Sequence, residues 1–170
     1  MPGTRNYTLE EILNSIKIDI KDIQINTLQI KVDYIKNNKI IKIEQKIFIV
    51  GLEEMVNNLD FEENLQFGID FTYKIIPKSF KPFKLMTIYN IQNKTNIPNI
   101  AALIFIKYND AESLKKLFSL LRAQYKFSPK FITTDFDGAL IKALKECDLF
   151  ILAPIIIPCL FYYSKVMLKT

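Results

Sequence analysis

Hydrophobic and polar positions along this chain alternate, recur every three or four residues, or run together in short blocks, and these patterns divide it into elements. Thr8 and Glu11 frame a capping box ahead of a short helix over 9–16. Apolar residues then alternate through Ile23, Ile25, Leu28, Ile30, Val32 and Tyr34; Asn37-Asn38 marks a turn, and 40–50 runs back, so 23–50 reads as a β-hairpin. Gly51 ends it, and 52–59 has helical composition with acid in its first turn. Three apolar, β-branched runs follow at 67–76, 84–91 and 100–108, separated by Pro77, Pro82 and Pro98 with Asn-rich turns, and these predict three strands. Asn109 and Glu112 offer a second capping box, after which Leu114, Leu117, Phe118, Leu121 and Tyr125 recur at helical spacing. Ser128-Pro129 closes that helix. In 131–146, FITTDFDGALIKALKE, the strand formers Ile132, Thr133 and Thr134 give way at Asp137-Gly138 to a helix face of Leu140, Ala143, Leu144 and Cys147. A last apolar run at 149–157 predicts a fifth core strand, and 159–169 a final helix.

Composition narrows the chemistry more by what is missing than by what abounds. The 170 residues are 49% hydrophobic and 12% aromatic, enough for a packed core and against disorder. There is no histidine, which removes imidazole bases, His metal ligands and Ser-His or Cys-His nucleophiles. Cys147 and Cys159 have no zinc-type spacing and read as small apolar residues, and four glycines form neither a dinucleotide fingerprint nor a phosphate loop. A net charge of +5 is compatible with a polyanionic partner. The N-terminus has no basic-then-apolar leader pattern, so the expected compartment is nuclear or cytoplasmic rather than secreted.

What remains is carboxylate chemistry, and two acids are placed for it. Asp135 leaves the C-terminal end of a predicted parallel strand, where open α/β sheets gather ligand groups. Asp70 lies within QFGIDFTYKII, and a carboxylate inside an apolar strand is costly unless paired or metal-bound. Asp137 directly precedes the helical pattern and reads as its N-cap. The bland readings are an exposed strand edge for Asp70 and a turn residue for Asp135. From 61 onward the order is strand, strand, strand, helix, strand, helix, strand, helix. This matches a ribonuclease-H-like α/β architecture, a mixed five-stranded sheet with flanking helices, preceded over 1–60 by a helix, a hairpin and a connecting helix. In that architecture the first and fourth core strands are neighbours, so Asp70 and Asp135 would share a divalent cation, Mg²⁺ or Mn²⁺. Lys74, Lys78, Lys81 and Lys84 form a basic string suited either to a phosphate backbone or to an edge guarded against aggregation.

Three blocks carry a family resemblance. GIDFTYKIIPKSFKPFKLMTIYNI resembles the segment around the first catalytic acid of Mutator-like (MULE) transposase domains, FITTDFDGALIKAL resembles their second acid block, and PCLFYYSKV their third conserved block. The resemblance is collinear over about 25–170. It implies a DDE-type transposase domain with Asp70 and Asp135 as catalytic metal ligands, Mg²⁺ or Mn²⁺ as cofactor and transposon-end DNA as partner; self-association is left open. The chain departs from the family at Phe71 (Gly preferred), Lys84 (Gln) and Tyr162 (His after Cys159), and it has no Asp or Glu after Asp148 where the family's third acid belongs. The expectation is therefore a truncated or decayed remnant, inactive alone. Two alternatives stand beside it: a tail-anchored membrane protein using the apolar segment 149–164, and a domesticated DNA-binding protein without cleavage.

Overall fold

Asn37 and Asn38 both adopt positive φ, 52° and 59°, the geometry that lets a two-residue turn follow the natural twist of a hairpin. The turn joins β1 (Ile23–Lys36) to β2 (Lys39–Leu52), which pair antiparallel along their whole length, as the alternation predicts. This is a computed structural model, and it describes residues 7–19, 23–52, 66–72, 80–91, 99–135, 137–147 and 154–159. The predicted helix at 52–59, the final helix within 159–169, Lys74, Lys78, Tyr162 and most of the apolar tail lie outside the described residues.

The remaining strands are β3 (Gln66–Thr72), β4 (Lys84–Asn90), β5 (Asn99–Ile106), β6 (Phe131–Thr134) and β7 (Ile155–Pro158). The described residues thus make a mixed α/β fold with one seven-stranded sheet in the order β1-β2-β5-β4-β3-β6-β7 and three helices. β3, β4 and β5 pair antiparallel in succession, whereas β6 lies parallel to β3 and β7 parallel to β6. The expected five strands are corrected to seven. The hairpin does not stand apart, because Phe48, Ile49 and Val50 of β2 pair with Phe105, Ile104 and Leu103 of β5 and extend the same sheet.

Strand alternation fixes what each face buries. Ile47 and Ile49, Phe67, Ile69 and Phe71, Met86 and Ile88, and Ile104 and Ile106 face one way. There they meet α2 (Ala111–Tyr125), through Leu114, Leu117, Phe118 and Leu121, and α3 (Gly138–Glu146), through Leu140, Ala143 and Leu144. The four positions predicted for the α3 face, Cys147 included, are all buried. On the opposite face Phe48, Val50 and Phe105 pack against Leu9 and Leu13 of α1 (Leu9–Asp19), whose Thr8/Glu11 capping box forms as expected, at 2.7 and 3.2 Å.

The α2 cap is shifted by one residue from the expected Asn109/Glu112 box. Asp110 is the N-cap and accepts from the Ser113 amide (3.0 Å) and hydroxyl (2.7 Å). A full negative charge suits a helix N-terminus better than a neutral amide does; Asn109 instead accepts from the Lys84 ammonium, and Glu112 pairs with Lys115 at 2.8 Å. At the other end Lys126 takes a left-handed conformation (φ 53°). That turns Phe127 into the core, edge-on to Phe67 with ring centroids 5.2 Å apart. Such a pair adds roughly 0.5–1.5 kcal/mol beyond its buried area.

No helix among the described residues is long and apolar enough to cross a membrane, and residues 155–158 of the apolar tail pair as a strand with β6.

Gln45 ties the hairpin to the sheet beyond the short β2–β5 ladder. Its buried side chain accepts from the Lys107 and Tyr108 amides (3.1 and 3.0 Å) and donates to the Tyr108 carbonyl (3.0 Å). Gln45→Leu leaves these backbone groups without their partner, so it is expected to lower unfolding stability by about 2–3 kcal/mol. Urea denaturation reads that change directly. Amide exchange in 39–46 should accelerate more than exchange in α3.

Candidate functional site

The two carboxylates come together because β3 and β6 are parallel and in register. Gly68 pairs with Thr133 and Ile69 with Thr134, so Asp70 and Asp135 are the next residues along adjacent strands. Phe67, Ile69 and Phe71 point into the core under α2 and α3, as does Ile132. Alternation therefore sends Gly68, Asp70, Thr133 and Asp135 to the other face. Burial pushes the Asp70 carboxyl above the usual carboxylate range, and the nearby negative charge of Asp135 pushes it further the same way. Hydrogen bonds from the Phe71 backbone and the Thr72 side chain oppose that shift without cancelling it.

Asp135 also does what the bland reading asked of it. One of its oxygens accepts from the Asp137 amide at 3.2 Å, an Asx turn that sets up the following helix. Asp137 is the α3 N-cap, as predicted, with its carboxylate accepting from the Leu140 amide at 2.9 Å. Asp137 is thereby committed to the helix, while Asp135 keeps a second oxygen clear of that turn bond.

A tyrosine that sequence reasoning passed over forms the wall of the site. Tyr89 on β4 pairs with Gly68 on β3, and a Cβ built on Gly68 would lie only 2.0 Å from Cζ and 2.1 Å from Cε2 of the Tyr89 ring. The glycine is the space that lets the phenol lie flat across β3 beside the carboxylates. Burial raises the Tyr89 hydroxyl pKa first, followed by the charges of Asp70, Cys159 and Asp135. Cys159 reaches this corner because its amide donates to the Thr134 carbonyl at 2.9 Å, continuing the β6–β7 ladder. The available signal was a glycine two residues before an acid on one strand face, since glycine inside a strand marks close approach by another group.

Two adjacent carboxylates, with oxygen ligands and no imidazole or thiolate pair, suit a hard divalent cation that keeps several waters. Among the described residues no group of three or more His, Cys, Asp or Glu side chains converges on one point. Lys84 is bonded to Asn109, and Lys81 is exposed in the turn before β4, so the basic string does not converge on the acids as a unit.

Folding raises the Asp70 pKa, so the folded chain holds that proton more tightly than the unfolded chain. The resulting destabilisation is absent below about pH 4, the unfolded aspartate range, and grows as pH rises through the folded value. Asp70→Asn should therefore raise the melting midpoint at neutral pH, with the two curves converging in acid; differential scanning calorimetry across pH 3–8 (roughly the span of carboxylate titration) checks this. Gly68→Ala is expected to cost on the order of 1–3 kcal/mol through overpacking against Tyr89, much of it recovered in Gly68→Ala with Tyr89→Ala. Comparison of the chain with models of known protein families, with curated proteins and with solved structures finds no match.

Proposed function

We propose that this chain is a ribonuclease-H-like domain of Mutator-like transposase descent, in which Asp70 and Asp135 hold a divalent cation against a nucleic-acid phosphate. The observation that carries the reading is the parallel, in-register pairing of β3 with β6, which sets one carboxylate beside the other. The strand order supports the fold assignment. Within β5-β4-β3-β6-β7, three antiparallel strands are followed, after α2, by a strand added parallel to the first of them. Relative to β3 as first strand, that is the order third, second, first, fourth, fifth.

A bound Mg²⁺ or Mn²⁺ supplies Lewis-acid polarisation of a phosphoryl oxygen and a more acidic water. The chain's own part is to place two carboxylates on adjacent strands, where a bound cation would relieve the repulsion that raises the Asp70 pKa, and to wall the Tyr89 side of the pair. Two carboxylates would balance the charge of a divalent cation but fill only part of its coordination, leaving positions for water and the substrate's phosphate, a common arrangement for Mg²⁺. No Asp or Glu follows Asp148 in the sequence. The 170-residue chain alone is therefore expected to bind DNA and metal without joining a cut DNA end to a target.

Millimolar Mn²⁺ at about ten times its dissociation constant should stabilise the chain by about 1.4 kcal/mol, a rise of roughly 3–5 °C in melting midpoint. Asp70→Asn and Asp135→Asn should each abolish that rise. A wild-type midpoint indifferent to Mn²⁺, or Mg²⁺-dependent joining of a labelled DNA end by the purified chain, would each count against the proposal.

A further inference from the structure

The hairpin's far end is built unlike its root. Through Gln45 the root is fastened to β5, and Asn26 of β1 donates to the Tyr125 hydroxyl of α2 at 2.7 Å. Beyond Gln45, among the described residues, β2 has no strand neighbour except β1. At the tip Ile35 pairs with Ile40 and Lys36 with Lys39, closed by Asn37-Asn38. The two isoleucines are 75% and 68% exposed, the most exposed large apolar side chains among the described residues. An apolar cross-strand pair left in water forgoes the burial that would reward it.

Charge at the tip has one sign. From Tyr34 to Ile43 there are three lysines and no acid. Lys42 sits across from Asp33, and Lys31 pairs with Glu44 at 3.2 Å, so the ribbon's stem is balanced. Asp110 and Glu112 of α2 lie near Tyr34, below the tip. Lys36 and Lys39 face each other directly, and like charges in that position repel. An anion between or beside them removes the repulsion.

The isoleucine pair of the tip lies on the face of the carboxylates, with Lys36 and Lys39 alternating to the α2 face. Asp70 pairs with Thr87, Thr87 with Leu103, Leu103 with Val50 and Val50 with Ile25, which marks the level of Asp70 on β1. Ile35 lies ten positions farther along β1 and, like Ile25, on the face of Asp70. At ~3.3 Å per residue and ~4.8 Å per strand the tip is ~33 Å along and ~19 Å across from Asp70. That separation is on the order of one turn of B-form DNA. Four antiparallel pairings separate β3 from β1, so both strands run the same way and the tip projects beyond the end of the sheet where Asp70 lies.

We infer that residues 35–40 form a DNA arm: Lys36 and Lys39 contact backbone phosphates, Asn37 and Asn38 read the minor-groove edge, and the Ile35–Ile40 pair wedges against a base step and bends the duplex. Lysine, asparagine and an apolar wedge are the groups such minor-groove arms use. The inference shares a nucleic-acid partner with the function proposed above, but it does not depend on the carboxylates or on metal. Its test uses the full chain and a short A·T-rich duplex carrying donor and acceptor dyes at its ends, in metal-free buffer over a salt series. Lys36→Gln with Lys39→Gln should reduce the slope of log affinity against log salt by about 2 and weaken binding roughly tenfold. Ile35→Ser with Ile40→Ser should leave that slope unchanged and abolish the dye-to-dye shortening that reports bending. Made in an Asp70→Asn background, the same tip substitutions should produce the same losses of slope and of bending, so failure of the metal site and failure of the arm are separable. The inference is overturned if both tip variants bind and bend DNA like the parent. It is equally overturned if the variants instead lose affinity for phosphatidylserine vesicles, or dissociate a parental dimer, with DNA binding unchanged.

Discussion

The carboxylate site of this molecule depends on the lateral pairing of β3 with β6. The alternation of β3 admits one solution: Phe67, Ile69 and Phe71 fill the space under α2 and α3, so Gly68 and Asp70 must face outward. A slip of one residue would reverse every side chain, bury the carboxylate and expose three large apolar groups. At about 1.5–3 kcal/mol for each large apolar side chain removed from water, the core fixes the register far more firmly than any contact at the acids could. The carboxylate site is thus the reverse side of the hydrophobic core. It exists in a defined geometry because the packing on the other face leaves no second choice.

That placement carries an electrostatic cost, and the surrounding residues divide it unequally. Asp70 is held within the strand, where burial and its neighbour both disfavour its charge. Asp135 stands at the strand's end and spends one oxygen on the turn into α3. Tyr89, lying over Gly68, closes one side of the pair with a ring and a phenol that is itself harder to ionise beside two carboxylates. Natural folds seldom retain adjacent like charges for stability alone, because an apolar or amide replacement relieves the repulsion. A cation-dependent role supplies a reason to keep them.

The sequence made the elements legible and left their partners obscure. Alternation showed β1 and β2 as a hairpin, Asn37-Asn38 located its turn, and the helical spacing through Leu114–Leu121 and Leu140–Cys147 identified the faces that are buried. Asp70 and Asp135 stood out because acids interrupt apolar strands. The attachment of the hairpin to β5 was not legible, since Phe48–Val50 and Leu103–Phe105 carry the same apolar signal as any buried strand and a periodicity names no partner. The α2 cap was misplaced by one residue because Asn109 and Asp110 are both good caps, and only the competing Lys84–Asn109 contact decides between them. Tyr89 was invisible for a related reason: its role depends on the absence of a side chain across the strand at Gly68.

Joining the hairpin to the sheet changes more than a strand count. Had it remained a separate appendage, the direction of its tip relative to the acids would be arbitrary. Because β2 pairs with β5 in fixed register, the chain of pairings from Asp70 to Ile25 sets both the face and the direction in which Ile35 and Ile40 are presented. Among the described residues, the α2 and α3 side of the sheet is taken up by the larger core, and α1 packs on the opposite side around Phe48, Val50 and Phe105. Ile35 and Ile40 are therefore presented on the face of the carboxylates, while Lys36 and Lys39 alternate to the α2 face at the same end of the sheet. On the function proposed above, a rod-like polyanion long enough to reach both the acids and the tip would be the partner that makes use of this separation. A small anion could satisfy only one of the two sites at a time.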